Sequence, residues 1–243
     1  METSADCQEL PLAGRSAGLS ALAKQVPHQA QQVLISWIFI LASTTLFLDF
    51  LSLQQLVAGG SSYFVKLNNW FGVVSCFSWL LGFAVLQHWL VRVKATLGGR
   101  AGAWTKLVAA LFFNLQPMTG TAGTAGGAGL WWSNLAGISF FHAGNLISCA
   151  DFRLNTPPGA DRAKGWLYHG NLPITGMWVY QLATWFLVCG NLLSCGWGGS
   201  PSASWEPVGR ETVRICQYSG SLLLLLGSCI YCHWCDGFRT CAF

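Results

Sequence analysis

Charge is scarce in this chain. Asp, Glu, Lys and Arg together make up 9% of its 243 residues, against about 25% in an ordinary soluble domain. So few charges do not cover the surface of a water-soluble globule. The net charge of +4 is small and scattered along the sequence, which excludes a nucleic-acid-binding face. No P-loop, dinucleotide fingerprint, G-x-S-x-G or H-E-x-x-H motif occurs, so nothing points to a cofactor or to a metal. Several charges in one apolar run would mark an ion pathway, and their absence disfavours a pump or channel. The ten cysteines follow no framework spacing. Several lie in apolar runs, where Cys acts as a small hydrophobe, and a disulfide scaffold is not expected.

What is present is apolar and aromatic. Hydrophobic residues account for 53% of the chain, with 13 Trp and 15 Phe, and mean hydropathy is +0.45. This composition predicts an all-α, polytopic membrane helix bundle. Spans are expected at about 32–58, 69–91, 103–123, 129–151, 172–195 and 216–234, each near the ~20 residues that cross ~30 Å of hydrocarbon. Residues 1–31 read as a polar cytoplasmic leader without a signal-type apolar core, 32–235 as the membrane domain and 236–243 as a short cytoplasmic tail. The first span then serves as a retained anchor. The third is the weakest, because Lys106, Asn114, Gln116 and Pro117 interrupt it.

Charge asymmetry decides in favour of that third span. With six spans and both termini cytoplasmic, ten Lys and Arg residues lie inside and three (Lys66, Arg210, Arg214) outside. Without it the count becomes eight inside and five outside, and the positive-inside bias weakens. The uncharged segment 119–129 reads as a connector.

Five places carry polar chemistry. Asp49 lies in the first span with Thr44 and Thr45 about one turn before it, an arrangement that suits an anchor bonding across the bundle. An Asp at the centre of a membrane helix costs roughly 2.5–3.5 kcal/mol. His142 and Asn145 in the fourth span are three apart and share a face; His142 is the natural acid or base near neutral pH. Read without a reaction, the pair ties helices together. Asp151 falls nearer the cytoplasmic end, within reach of Arg153 or a loop cation. His169 and Asn171 precede the fifth span. The tail CIYCHWCDGFRTC gathers Cys229, Cys232, His233, Cys235 and Cys241. A second metal-binding pair is missing there, and juxtamembrane cysteines fit palmitoylation better than zinc.

Three pieces in order resemble the androgen-induced and rolling-stone-like family of six-span membrane proteins. They are Gly59-Gly60 with Tyr63-Phe64 and Asn68-Asn69, then His142-Ala-Gly-Asn145 with Asp151 and Leu154-Asn155, then Thr175-Gly-Met-Trp-Val-Tyr180. The resemblance covers residues 32–195. It implies a lipid-ester hydrolase acting on fatty acid esters, with a membrane-embedded Thr nucleophile and His142 as base. The expected Thr is replaced by Val65 or Lys66, and the proline after the Trp-Val-Tyr run is Gln181. Thr44, Thr45, Ser61 and Ser62 are the hydroxyls left to serve. Tyr63-Phe64-Val65-Lys66 and the stretch from Phe113-Asn114 to Thr119-Gly120 are also similar to the fat-storage-inducing transmembrane family. That likeness implies a lipid phosphatase-like protein with His142 as the first of two histidines and His169 as the second. Both families imply the endoplasmic reticulum, other endomembranes or the plasma membrane, with membrane lipids as partners and a lipid or fatty-acyl substrate. The alternative is a non-catalytic membrane scaffold or interaction protein.

Overall fold

The computed structural model describes residues 12–57, 62–119, 127–155, 172–195 and 207–235, with side chains for residues 30–52, 67, 70–115, 132–152, 154, 174–193 and 211–235. The described residues form six helices and no strand: α1 (Leu12–Val57), α2 (Ser62–Arg92), α3 (Leu97–Thr119), α4 (Gly127–Asn155), α5 (Leu172–Cys195) and α6 (Pro207–Trp234). α1 begins well before the expected residue 32, because Ala, Leu, Gln and Lys in the leader favour helix whatever their hydropathy.

Three helices hold stretches long and apolar enough to cross a membrane: Ala30–Ser52, Trp70–Arg92 and Glu211–Trp234. By length and composition this is an integral membrane protein. Its polarity is distributed accordingly. Leu41, Phe77, Trp104, Trp132, Trp185 and Leu222 are exposed, whereas Ser43, Ser75, Asn114, Asn145, Thr184 and Ser228 are fully buried. Large apolar side chains cover the outer face, and small polar ones lie buried between the helices, as lipid favours.

Each helix packs on its neighbours in sequence, and α6 packs back on α1. The six therefore form a closed ring. Every seam of the ring carries a polar tie. Ser75 Oγ donates to the Ala42 carbonyl at 2.8 Å between α2 and α1, and Asn114 Nδ2 to the Cys76 carbonyl at 2.8 Å between α3 and α2. Lys106 Nζ donates to Ser148 Oγ at 3.0 Å between α3 and α4, and Gln181 Nε2 to the His142 carbonyl at 3.2 Å between α5 and α4. Tyr180 Oη and Ser228 Oγ meet at 2.9 Å between α5 and α6, and Ser228 meets Ser43 Oγ at 2.8 Å between α6 and α1.

Glycine sets the spacing of the α3–α4 seam. A Cβ at Gly144 would lie 2.7 Å from Lys106 Cγ and 2.9 Å from the Gly102 carbonyl oxygen. Only hydrogen fits there, so the backbones approach closely and the Lys106 stem lies across α4. The α2–α3 turn is fixed by two backbone bonds, Lys94 N to Val91 O at 3.1 Å and Ala95 N to Leu90 O at 2.9 Å. Together they close α2 in a Schellman motif with Lys94 at φ 52°, a conformation that glycine usually supplies. Thr96 then caps α3, its hydroxyl accepting from Gly99 N at 3.1 Å.

Candidate functional site

The ring surrounds a partly open cavity of about 240 Å³ lined by residues from all six helices. Its body is aromatic. Phe39 stands 4.9 Å from Phe83 and 5.4 Å from Trp79 between ring centroids, and Phe141 lies 5.7 Å from Trp79 and 6.0 Å from Tyr180. Tyr231 and Trp234 continue the wall at 5.7 Å from each other. Such rings give a stiff apolar lining, with pair energies of about 0.5–1.5 kcal/mol beyond area burial.

Polar groups line the cavity where α3 and α4 run side by side: Lys106, Asn145, Ser148 and Asp151. Asn145, Ser148 and Asp151 follow one another at intervals of three along α4, so they lie on one face. Ser148 Oγ gives its proton to the Gly144 carbonyl at 2.8 Å and therefore accepts from Lys106 Nζ. Asp151 Oδ2 accepts from Thr96 Oγ1 at 2.6 Å. The same hydroxyl thus caps α3 and holds the carboxylate over the first turn of that helix, where the dipole is positive.

Asn145 is 1% exposed, and its Nδ2 has no hydrogen-bond partner among the described residues. The indole Nε1 of Trp89, another lining residue, is likewise buried and unpartnered. Leaving a buried donor unmet costs about 1–3 kcal/mol. Such groups are rare enough that each needs an explanation.

The structure separates the two residues that the sequence paired. Asn145 faces the cavity, whereas His142 lies at the α4–α5 seam and does not line it. His142 Nδ1 is 3.3 Å from Thr184 Oγ1, and its ring meets Trp185 edge-on at 5.3 Å. Thr184 is fully buried, and its hydroxyl also lies 2.7 Å from the Gln181 carbonyl. That shorter contact takes the single hydroxyl proton, so Nδ1–H of His142 donates to the Thr184 oxygen. Thr184 is the hydroxyl that sequence reasoning missed. Its one available signal was the interval of three from Gln181, which puts both polar groups on one face of α5.

The other sequence candidates lie elsewhere. Thr45 Oγ1 turns back to the Leu41 and Ala42 carbonyls at 2.8 and 3.1 Å. Thr44 is half-buried on the same helix, and among the described residues neither hydroxyl bonds to His142. Asp49 packs against Gly72 of α2, where an added Cβ would stand 3.3 Å from its Oδ1. Gly59, Gly60, Ser61, His169, Asn171 and Cys241 lie outside the described residues, as do the side chains of Ser62, Tyr63, Phe64, Val65, Lys66, Asn68, Asn69 and Arg153. Cys229, Cys232 and Cys235 form no disulfide among the described residues. Among the described residues no three His, Cys, Asp or Glu side chains converge on a metal site.

No protein-family model, curated protein or solved structure matches the chain.

Proposed function

We propose that this is a six-span protein of the endoplasmic reticulum, other endomembranes or the plasma membrane, with both termini cytoplasmic, whose ring of helices takes one lipid molecule into its central cavity. The observation that carries the reading is a single cavity with two chemistries: an aromatic body and a polar cluster on α3 and α4. An amphiphile has the same two parts. Ligand pockets commonly measure about 300–1,000 Å³, so about 240 Å³ suits one slender acyl chain better than a ring system or a two-chain lipid. The apolar outer face and the ten-to-three charge asymmetry support the topology.

The test is recovery of bound lipid. Protein purified in a mild detergent is expected to carry a single-chain lipid, detected by mass spectrometry of the solvent extract. Ala103, a buried lining residue, allows a filled-cavity control. Ala103→Phe is expected to lose the lipid while keeping a monodisperse elution profile. Equal lipid content in both proteins would refute the reading.

A second reading keeps the lipid-ester hydrolase, with Thr184 in the place of the missing nucleophile and His142 as its base. It is supported by their 3.3 Å contact. It requires the Thr184 proton to turn from the Gln181 carbonyl to the imidazole, and it places the reaction at a seam beside the cavity.

A further inference from the structure

The polar cluster of the cavity has donors to spare and too few acceptors. We infer that the cavity selects a single-chain lipid ending in a carboxylate, whose oxygens bridge Lys106 Nζ and Asn145 Nδ2. The inference rests on the lipid-cavity reading above and names its substrate class.

Three observations converge. Lys106 brings three N–H donors into the cavity, and its partner among the described residues is one neutral oxygen, Ser148 Oγ. A cation in such a place is expensive unless paired with an opposite charge. Asn145, one helical turn before Ser148, holds a fully buried amide nitrogen with no acceptor. Trp89 adds a buried indole N–H in the same state. A carboxylate is acceptor-only, with two oxygens and about four lone-pair sites. It would meet the cation and the orphan amide together.

Asp151 does not supply this acceptor. Its Oδ2 takes the Thr96 hydroxyl, and the carboxylate packs against Gly98 and Gly99 in the first turn of α3. Among the described residues Lys106 forms no ion pair. Asp151 also argues against a more highly charged head. A phosphate monoester carries about −1.5 to −2 at neutral pH, more than one ammonium balances, and the fixed carboxylate nearby repels the excess. One negative charge fits.

The experiment compares three sixteen-carbon probes on the full-length protein in detergent: hexadecanoate, hexadecanol and hexadecyl phosphate. Binding is measured on wild type, Lys106→Met, Lys106→Arg and Asn145→Leu. Wild type is expected to bind the acid about tenfold or more tighter than the alcohol, as a charge-assisted hydrogen bond in a dry site supplies. Lys106→Met is expected to abolish the preference of acid over alcohol, with a monodisperse elution profile showing that the variant is folded. Lys106→Arg should keep the preference for the acid, and Asn145→Leu should weaken it severalfold. Equal binding of acid and alcohol by wild type overturns the carboxylate inference and leaves the lipid cavity standing. Tighter binding of the phosphate overturns it as well. Failure of all three probes to bind overturns the cavity reading and this inference with it.

Discussion

His142 shows how a residue's neighbours decide between two chemistries. An imidazole in an apolar helix invites a catalytic role, yet a base needs the nucleophile's proton pointed at it. Here the Thr184 proton goes to a carbonyl on its own helix, and the imidazole becomes one more link between α4 and α5. Thr184→Val keeps the shape and removes that acceptor. The expected cost is about 0.6 kcal/mol, and not above about 1.7, the range for hydrogen bonds between membrane helices. It would be read as a small drop in thermal midpoint in detergent. Labelling by a serine/threonine-hydrolase activity probe should be the same in wild type, Thr184→Val and His142→Ala. Labelling lost in both variants would establish the ester-hydrolase reading instead.

At the scale of the element, the α3–α4 pair matters most. The Gly102–Gly144 approach brings Lys106 alongside Ser148, so the α3–α4 half of the polar cluster depends on two backbones that touch. Gly144→Leu would press on Lys106 Cγ and the Gly102 carbonyl. It is expected to cost about 1–3 kcal/mol by overpacking. A lower thermal midpoint measures that cost, and loss of the preference for hexadecanoate over hexadecanol shows that the cluster has come apart. The helices themselves were legible in sequence, because each long apolar run must form its backbone hydrogen bonds internally in lipid. α3 was legible from the charge count and not from hydropathy. Lys106 and Asn114 hide it from hydropathy, and both prove to be seam residues whose polar ends bond to neighbouring helices. The start of α1 escaped because helix propensity, and not hydropathy, governs residues 12–31.

For the whole molecule, the charge count makes a definite statement about topology. Glycosylation acceptor sites inserted between α1 and α2, between α3 and α4, and between α5 and α6 are expected to be modified in microsomes. Sites placed ahead of α1, between α2 and α3, or after α6 are expected to stay unmodified. Glycosylation in the α2–α3 turn would reverse the orientation. The cavity was not legible at this scale, since its lining residues are separated by tens of positions and converge only when the ring closes. The sequence marked Asn145 as polar and out of place, but it could not say that the side chain faces a space and not a partner. Lys106, read as a charge marking the cytoplasmic side, lies beside that space.

Closure of the ring by its first and last members has a consequence for biosynthesis. The α6–α1 seam is held by Ser228 on Ser43, and also by Tyr218 Oη donating to the Phe50 carbonyl at 3.1 Å. α1 is made before α6, and four helices lie between them in the chain. Until α6 arrives, Ser43 on one edge and Tyr180 on the other lack their shared partner Ser228. The five helices made ahead of α6 therefore form an open arc, and its two edges are matched only when α6 docks between them.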